Sequence, residues 1–134
     1  YLYANRMNLI VAGTGDRSEI AVGYFTKFGD GGVDFLPIGG LYKTQVREMA
    51  RRLGVPREIV ETPSSPVFWP GHSAEEEIGF SYEVLDQALE MIERDQGART
   101  ILRQTGLSIR ELRRIREMMK ASAHKRAPPE ICEL

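Results

Sequence analysis

The sequence predicts an α/β protein that is mostly helical, with one or two strands, of which one is a short buried strand belonging to a parallel sheet. Residues 9–12 form a continuous apolar run that ends at Gly13 and is followed directly by a helix signal, as in strands buried on both faces. A single strand cannot make a sheet, so we expect its partner strands to lie outside this chain. The apolar start, residues 1–4, also resembles the end of an element already under way. The chain is therefore expected to be a fragment of a larger fold.

The first helix follows the apolar run. Asp16 and Glu19 are spaced as a capping pair that opens it. We expect this helix to carry Ile20, Val22 and Phe25 and to end before the glycine-rich turn of residues 29–32.

The remaining helices are predicted by apolar residues at helical spacing and by caps. Residues 43–53 should form one helix, which Gly54 ends, and Pro56 should open a short helical turn. A Pro-rich loop, residues 62–73, is long enough for a lid or binding loop. Later helices are expected over residues 81–94 and 98–104. A last helix should be capped by Ser108 with Glu111, and Ser73 with Glu76 forms a possible capping box after the loop.

The bulk composition is that of an ordinary globular domain with hydrophobic content of 42% and charged content of 28%. No apolar run has the ~20 residues of a membrane span, and no signal peptide is evident. The single cysteine, Cys132, excludes an internal disulfide framework and a cysteine-based metal site. A cytoplasmic location is the default expectation. Residues 99–126 are strongly basic, which suits either an anionic ligand or a solvated helix face.

The turn between the apolar run and the first helix is a candidate nucleotide site. A glycine turn at a helix N-terminus presents free backbone N–H groups to a phosphate or ribose, and Thr14 adds a hydroxyl. Ser18 stands where a dinucleotide fingerprint has its third glycine, so an oxidoreductase is disfavoured. Glu19 could hold a magnesium ion or serve only as the capping glutamate. A plain tight turn remains the simpler alternative.

The glycine-rich segment after this helix is a second candidate. Lys27, Asp30 and Asp34 flank its glycines, so charges and backbone can approach one ligand together. A flexible turn with solvated charges is the alternative.

These segments together resemble the ammonia-dependent NAD synthetases. The similar stretches are GTGDRSE, GYFTKFGDGGVD, LPIGGLYKTQV, LGVP and WPG, then Glu77-Ile78-Gly79 with Ser81-Tyr82, and His124-Lys125-Arg126. The resemblance implies a Rossmann-like, adenine nucleotide alpha hydrolase-like parallel sheet fold. It also implies that residues 1–134 are the C-terminal part of a single synthetase domain. The family's Ser-Gly-Gly-x-Asp-Ser pyrophosphate loop does not occur here.

The implied activity is ATP-dependent amidation of deamido-NAD by ammonia through an acyl-adenylate, giving NAD, AMP and pyrophosphate. By position, Thr14, Lys43 and Ser65 would contact ATP, the co-substrate, and Glu19 would ligate Mg²⁺. The family also implies a homodimer. Without the pyrophosphate loop, we expect the chain alone to bind ATP poorly and to be inactive.

The resemblance also implies the residues that hold deamido-NAD. Lys27, Asp34, His124 and Lys125 would bind the dinucleotide. Asp30 is assigned to catalysis, at the substrate carboxyl or the incoming ammonia. The acyl-adenylate hydrolyses easily, so a loop that excludes water is needed, and residues 62–73 are the candidate.

Two parts of this loop depart from the family's pattern. Residues 65–68 stand where the family has a hydroxyl residue, alanine, aspartate and leucine, so the loop lacks the acidic residue that would contact metal or ATP. His72 replaces a more typical glutamine and is interpreted as a loop residue rather than a catalytic base.

Two other classes of function stay open at the level of sequence. The chain could be a non-catalytic nucleotide-binding or dimerisation module of the same fold. It could also bind nucleic acid through its basic final helices, but these lack interleaved aromatic residues and a known binding motif. We therefore expect neither nucleic acid nor membrane as a partner.

Overall fold

The computed structural model describes residues 1–132, and most of them are helical. The helices are α1 (Leu2–Met7), α2 (Arg17–Val22), α3 (Lys43–Arg52), α4 (Arg57–Val60), α5 (Ala74–Ile78), α6 (Tyr82–Glu93), α7 (Ala98–Thr105) and α8 (Ile109–Ala121), followed by a 3₁₀ turn (Ala123–Arg126). The mostly helical character predicted for the chain is confirmed.

The buried strand expected at residues 9–12 is not formed. Within the described residues its pairing amounts to one parallel bridge, between Ala12 and Phe35. Leu9 and Ile10 are 58% and 71% exposed. A strand becomes buried on both faces only between neighbours that cover it, and residues 1–132 supply one neighbour, the segment around Phe35. The local apolar run is therefore real, but the prediction of a buried strand is wrong for this chain by itself.

Helix α6 is the centre of the core. Its Tyr82, Leu85, Ala88 and Leu89 have no exposed surface, because their spacing places them on the side that faces α2, α3 and α7. Burying one such leucine contributes about 1.5–3 kcal/mol. Ile115 of α8 is equally buried, so the C-terminal helices form one core with the segment that carries Glu19.

Helix α2 is shorter than predicted. Asp16 accepts from the Glu19 amide and Glu19 accepts from the Asp16 amide, so the expected capping box is confirmed. The helix ends at Val22, because Gly23 has φ 75° and breaks the helical path. Phe25 therefore lies beyond the helix that was predicted to carry it.

Helix α3 forms as predicted, but none of its residues is buried. Met49 and Leu53, which belong to its apolar stripe, are 44% and 75% exposed. The periodicity thus located the helix correctly, while its apolar stripe stays largely uncovered within residues 1–132.

Candidate active site

A cavity of about 280 Å³ opens between the start of α2, the glycine-rich turn and the C-terminal 3₁₀ turn. It brings together three residues to which the family resemblance gives separate roles, Glu19, Asp30 and Lys125. The remaining lining residues are Gly15, Ile20, Phe25, Gly31, Leu36 and Arg126. A mainly apolar pocket with a few convergent charges is typical of a small-molecule site.

A second, more open cavity of about 470 Å³ lies on the other side of Phe25, Asp30 and Lys125. Its walls include Pro66 and Phe68 from the Pro-rich loop. The two cavities therefore share a wall, and the loop reaches the second one.

Glu19 and Lys43 are joined in one charged cluster with the buried Asp16. The Lys43 Nζ lies 2.9 Å from Glu19 Oε1 and 2.6 Å from Asp16 Oδ2. Burial, and then the neighbouring charge of Asp16, raise the pKa of the Glu19 carboxyl, although Lys43 opposes this. Burial would lower the pKa of the Lys43 ammonium, but its bonds to Asp16 and Glu19 outweigh burial and raise it. Lys43 is thus a charged group held in place by its contact with Glu19, which lines the cavity.

The position of Lys43 depends on two residues that no sequence pattern singled out, Ser18 and Asp86. The Ser18 hydroxyl accepts from the Lys43 amide at 2.9 Å and donates to Asp86 Oδ1 at 2.5 Å. Asp86 Oδ2 accepts from the Thr44 amide at 2.8 Å. Together they satisfy the N-terminal amides of α3, where anionic groups are favourable. No local spacing could reveal this, since Asp86 lies on α6.

Lys125 and Arg126 bind the end of α2. The Lys125 Nζ donates to the carbonyls of Gly23 and Phe25 at 2.8 and 2.7 Å. Arg126 donates to the carbonyls of Ile20 and Ala21 at 2.9 and 3.0 Å. Cations at the C-terminal end of a helix offset its partial negative charge. Two residues of the basic C-terminal stretch therefore form hydrogen bonds within the protein itself.

Lys27 and His124 are also adjacent. The Lys27 Nζ donates to the His124 carbonyl at 2.8 Å, while the exposed His124 ring lies 3.0 Å from the Ala121 carbonyl through Nδ1. These two residues lie at the margin of the site, outside the lining of either cavity.

Asp30 closes the glycine-rich turn by accepting from the Thr26 amide at 2.7 Å. A Cβ added to the neighbouring Gly31 would meet the Phe25 ring at 2.6 Å. The glycine thus lets the turn pass close to the aromatic wall and leaves Asp30 facing both cavities.

Asp34, Thr14 and Ser65 are not among the residues that line the two cavities. Asp34 accepts from the Val11 amide at 2.6 Å and from the Tyr1 hydroxyl at 2.8 Å, and these bonds, the first above all, lower the pKa of its carboxyl. Thr14 is exposed beside the cavity residue Gly15, and Ser65 accepts from the Val67 amide within the loop. Their predicted contacts with ligands stay predictions.

The residues present suit a magnesium ion that is shared with a nucleotide. Mg²⁺ usually takes one or two carboxylates and completes its shell with water and phosphate oxygens. Glu19 offers one such carboxylate at the cavity. Residues 1–132 contain no cluster of three or more acidic, histidine or cysteine ligands. None of their helices is long and apolar enough to cross a membrane.

The comparisons of this sequence with known proteins agree on one family. The family model described as NAD synthase matches residues 1–129. The chain is 54% identical over 130 residues to the NH(3)-dependent NAD(+) synthetase of Hyperthermus butylicus, covering 96% of this chain and 47% of that protein. It is 53% identical to the enzyme of the same name from Sulfurisphaera tokodaii, covering 100% and 48%. The chain thus spans about half the length of the curated relatives it matches.

Two solved structures share the fold. The NMN synthetase from Francisella tularensis superimposes with a TM-score of 0.82 at 34% identity, covering 100% of this chain and 51% of that one. The NH3-dependent NAD synthetase from Campylobacter jejuni superimposes with a TM-score of 0.74 at 30% identity, covering 99% and 49%. The prediction of an α/β fold of this type is confirmed.

Proposed function

Because the chain belongs to the NAD synthase family, we propose that it is the C-terminal part of an ammonia-dependent NAD synthetase domain. The domain would use ATP to convert deamido-NAD and ammonia into NAD, AMP and pyrophosphate. The observation that carries this proposal is the meeting of Glu19, Asp30 and Lys125 at one cavity. The family resemblance assigns Glu19 to Mg²⁺, Asp30 to catalysis and Lys125 to the dinucleotide.

The reaction has two steps. A carboxylate oxygen of the nicotinate attacks the α-phosphorus of ATP, and pyrophosphate leaves as the acyl-adenylate forms. The ammonia nitrogen then attacks the acyl carbon, the bond between that carbon and the AMP oxygen breaks, and the nitrogen loses a proton. Asp30 lies at the shared cavity wall, where its carboxylate would orient the ammonia or accept that proton.

Charge is the main obstacle to the first step, since two polyanions must approach each other. Lys43 would offset phosphate charge from its fixed position beside Glu19. Glu19 would supply the protein carboxylate for Mg²⁺, which neutralises phosphate charge when bound. Lys27, Asp34, His124 and Lys125 would hold the dinucleotide, while Thr14 and Ser65 would contact ATP.

A homodimer, expected from the family resemblance, and a cytoplasmic location, expected from the cysteine content, are parts of the same proposal. So is the inactivity of the chain by itself, since the pyrophosphate loop is not in its sequence. A non-catalytic nucleotide-binding or dimerisation module is the alternative that a functional test has to exclude.

A second candidate differs only in substrate size. The close superposition on a protein named NMN synthetase favours nicotinic acid mononucleotide, the carboxylate counterpart of NMN, as the molecule amidated. The curated relatives of higher identity are named NAD(+) synthetases, and for this reason the dinucleotide stands first.

The test is a chimera in which this chain replaces the matching residues of the Hyperthermus butylicus relative. We expect NAD formation from deamido-NAD, ATP, Mg²⁺ and ammonium, and less product from nicotinic acid mononucleotide. Asp30→Asn should lower kcat about 100-fold, whereas the matched control Asp95→Asn, at an exposed turn, should leave it unchanged. A folded chimera that binds nucleotide without forming an amide would instead support the non-catalytic module, and a preference for the mononucleotide would support the second candidate.

A further inference from the structure

The Pro-rich loop, residues 62–73, is attached to the core through His72. The His72 side chain is 2% exposed and its ring is stacked on Trp69, with ring centroids 3.5 Å apart and planes 12° apart. Its Nε2 lies 2.7 Å from Glu77 Oε2 on α5. A buried imidazole held on both a ring face and a nitrogen is a fixed point in an otherwise irregular segment.

Glu77 extends this contact to the wall of the two cavities. The Tyr24 hydroxyl donates to the same oxygen, Glu77 Oε2, at 2.5 Å. Two groups that share one carboxylate oxygen must both donate to it, which places the proton of a neutral His72 on Nε2. Tyr24 immediately precedes Phe25, and both line the second cavity. A chain of hydrogen bonds therefore connects the loop with the segment that carries the site.

The rest of the loop makes few contacts that fix its position. Its ends are joined by a hydrogen bond from the Ala74 amide to the Ser64 carbonyl at 2.9 Å. Between them, Val67 and Phe68 are each 79% exposed and Trp69 is 54% exposed. Segments with so few buried contacts open at low free energy. The Tyr24, Glu77 and His72 network is consequently the main tertiary anchor of the loop tip.

We propose that Tyr24, Glu77 and His72 are positioning residues that fix the loop so that Pro66 and Phe68 wall the second cavity beside Asp30 and Lys125. Their consequence for catalysis rests on the proposed function. An acyl-adenylate at this cavity is exposed to water when the loop is released. Water then attacks the acyl carbon in place of ammonia, AMP leaves, and the nicotinate carboxylate is regenerated. Each such event consumes ATP without forming an amide.

The anchor can be tested in the chain itself, without any activity. Tyr24→Phe removes one hydroxyl and no ring, and Tyr3→Phe is a matched control at a tyrosine that is 75% exposed. We expect Tyr24→Phe to speed chymotryptic cleavage after Phe68 by at least about tenfold, the effect of losing one hydrogen bond to a charged group. The anisotropy of Trp69, the single tryptophan, should fall in parallel. Equal cleavage and anisotropy in Tyr24→Phe, Tyr3→Phe and the parent chain would overturn the anchor.

The catalytic consequence is tested in the chimera by measuring AMP and NAD together. We expect Tyr24→Phe and His72→Ala to raise the ratio of AMP to NAD several-fold at low ammonium and to restore it toward one at high ammonium, because ammonia then competes better with water. A merely structural role would lower both products together and leave the ratio unchanged, which would refute the positioning role. If the parent chimera forms no NAD, the proposed function fails, while cleavage and anisotropy still decide the anchor.

Discussion

The ammonium group of Lys43 lies 2.6 Å from Oδ2 of Asp16, a carboxylate with no exposed surface. Asp16 also caps α2 by accepting from the Glu19 amide through its other oxygen. The side chain of Asp16 thus caps the start of α2 and forms an ion pair with Lys43, the first residue of α3. The site therefore depends on a buried ion pair whose members come from two different helix starts.

We expect Asp16→Asn to lower the free energy of unfolding by about 2–3 kcal/mol. Asparagine keeps the capping oxygen but leaves Lys43 without its most buried partner, and an uncompensated charge is costly where water is scarce. Glu19→Gln should cost about 1 kcal/mol or less, because burial disfavours the charged form of Glu19 and offsets much of its attraction to Lys43. Urea unfolding of both variants measures the difference. Equal losses would mean that the charge of Asp16 contributes nothing beyond that of Glu19.

The hydrogen bonds by which Ser18 and Asp86 cap the start of α3 predict how the stability of the chain depends on pH. Burial raises the pKa of the Asp86 carboxyl above 3.8, although the bonds from Ser18 and Thr44 oppose it. A carboxyl with a higher pKa in the folded state holds its proton more tightly there, so its contribution to stability is present at low pH. That contribution is lost as pH rises from 3.8 through the folded pKa. The stability of the parent chain relative to Asp86→Asn should fall over that window.

Carboxyl ¹³C NMR checks the same point directly. The Asp86 signal should titrate above 3.8. A midpoint below that value would show that the hydrogen bonds from Ser18 and Thr44 outweigh burial, and the stability difference would then change in the opposite direction.

Sequence predicted what is local in this protein. The capping pair Asp16 and Glu19 opens α2 as expected, and Ser108 with Glu111 opens α8 through bonds in both directions. Each pair is three residues apart, so the physical cause lies within one helical turn. Apolar periodicity, without a predicted N-terminal cap, located α3 and α6.

Non-local relationships could not be predicted in this way. Asp86 is 68 residues from Ser18 along the chain, and nothing in the spacing of α6 indicates that one of its carboxylates caps α3. The strand at residues 9–12 failed for a related reason, because pairing depends on neighbours that residues 1–132 do not supply. Among the site residues, family resemblance implied separate roles for Glu19, Asp30 and Lys125, and only the structure brings them to one cavity.

The loop carries local strain at Val67, whose φ of 57° is unfavourable for a β-branched residue. Asparagine tolerates this conformation, so Val67→Asn should raise the free energy of unfolding by about 1 kcal/mol. Val67 is 79% exposed, and the substitution therefore removes little packing. Val67→Ile keeps the branching and should give no gain. Thermal unfolding compares the two variants, and a gain with isoleucine would point to burial of the side chain instead of strain.

The contact between α2 and the end of α8 depends on a missing side chain at Gly23. This residue has φ 75°, and a Cβ there would lie 2.0 Å from Ser122 Cβ. Gly23→Ala therefore adds the strain of a left-handed alanine, about 1–2 kcal/mol, to an overlap that forces the last turn of α8 away. The Gly23 carbonyl also accepts from Lys125, so the shift should separate Lys125 from the cavity wall. We expect a loss of more than about 2 kcal/mol in thermal unfolding. Gly54→Ala is the matched control, because Gly54 has φ 74° and a Cβ there meets nothing within 4 Å, so it carries the left-handed strain without the overlap. A loss for Gly23→Ala no larger than that for Gly54→Ala would show that α8 can yield without cost.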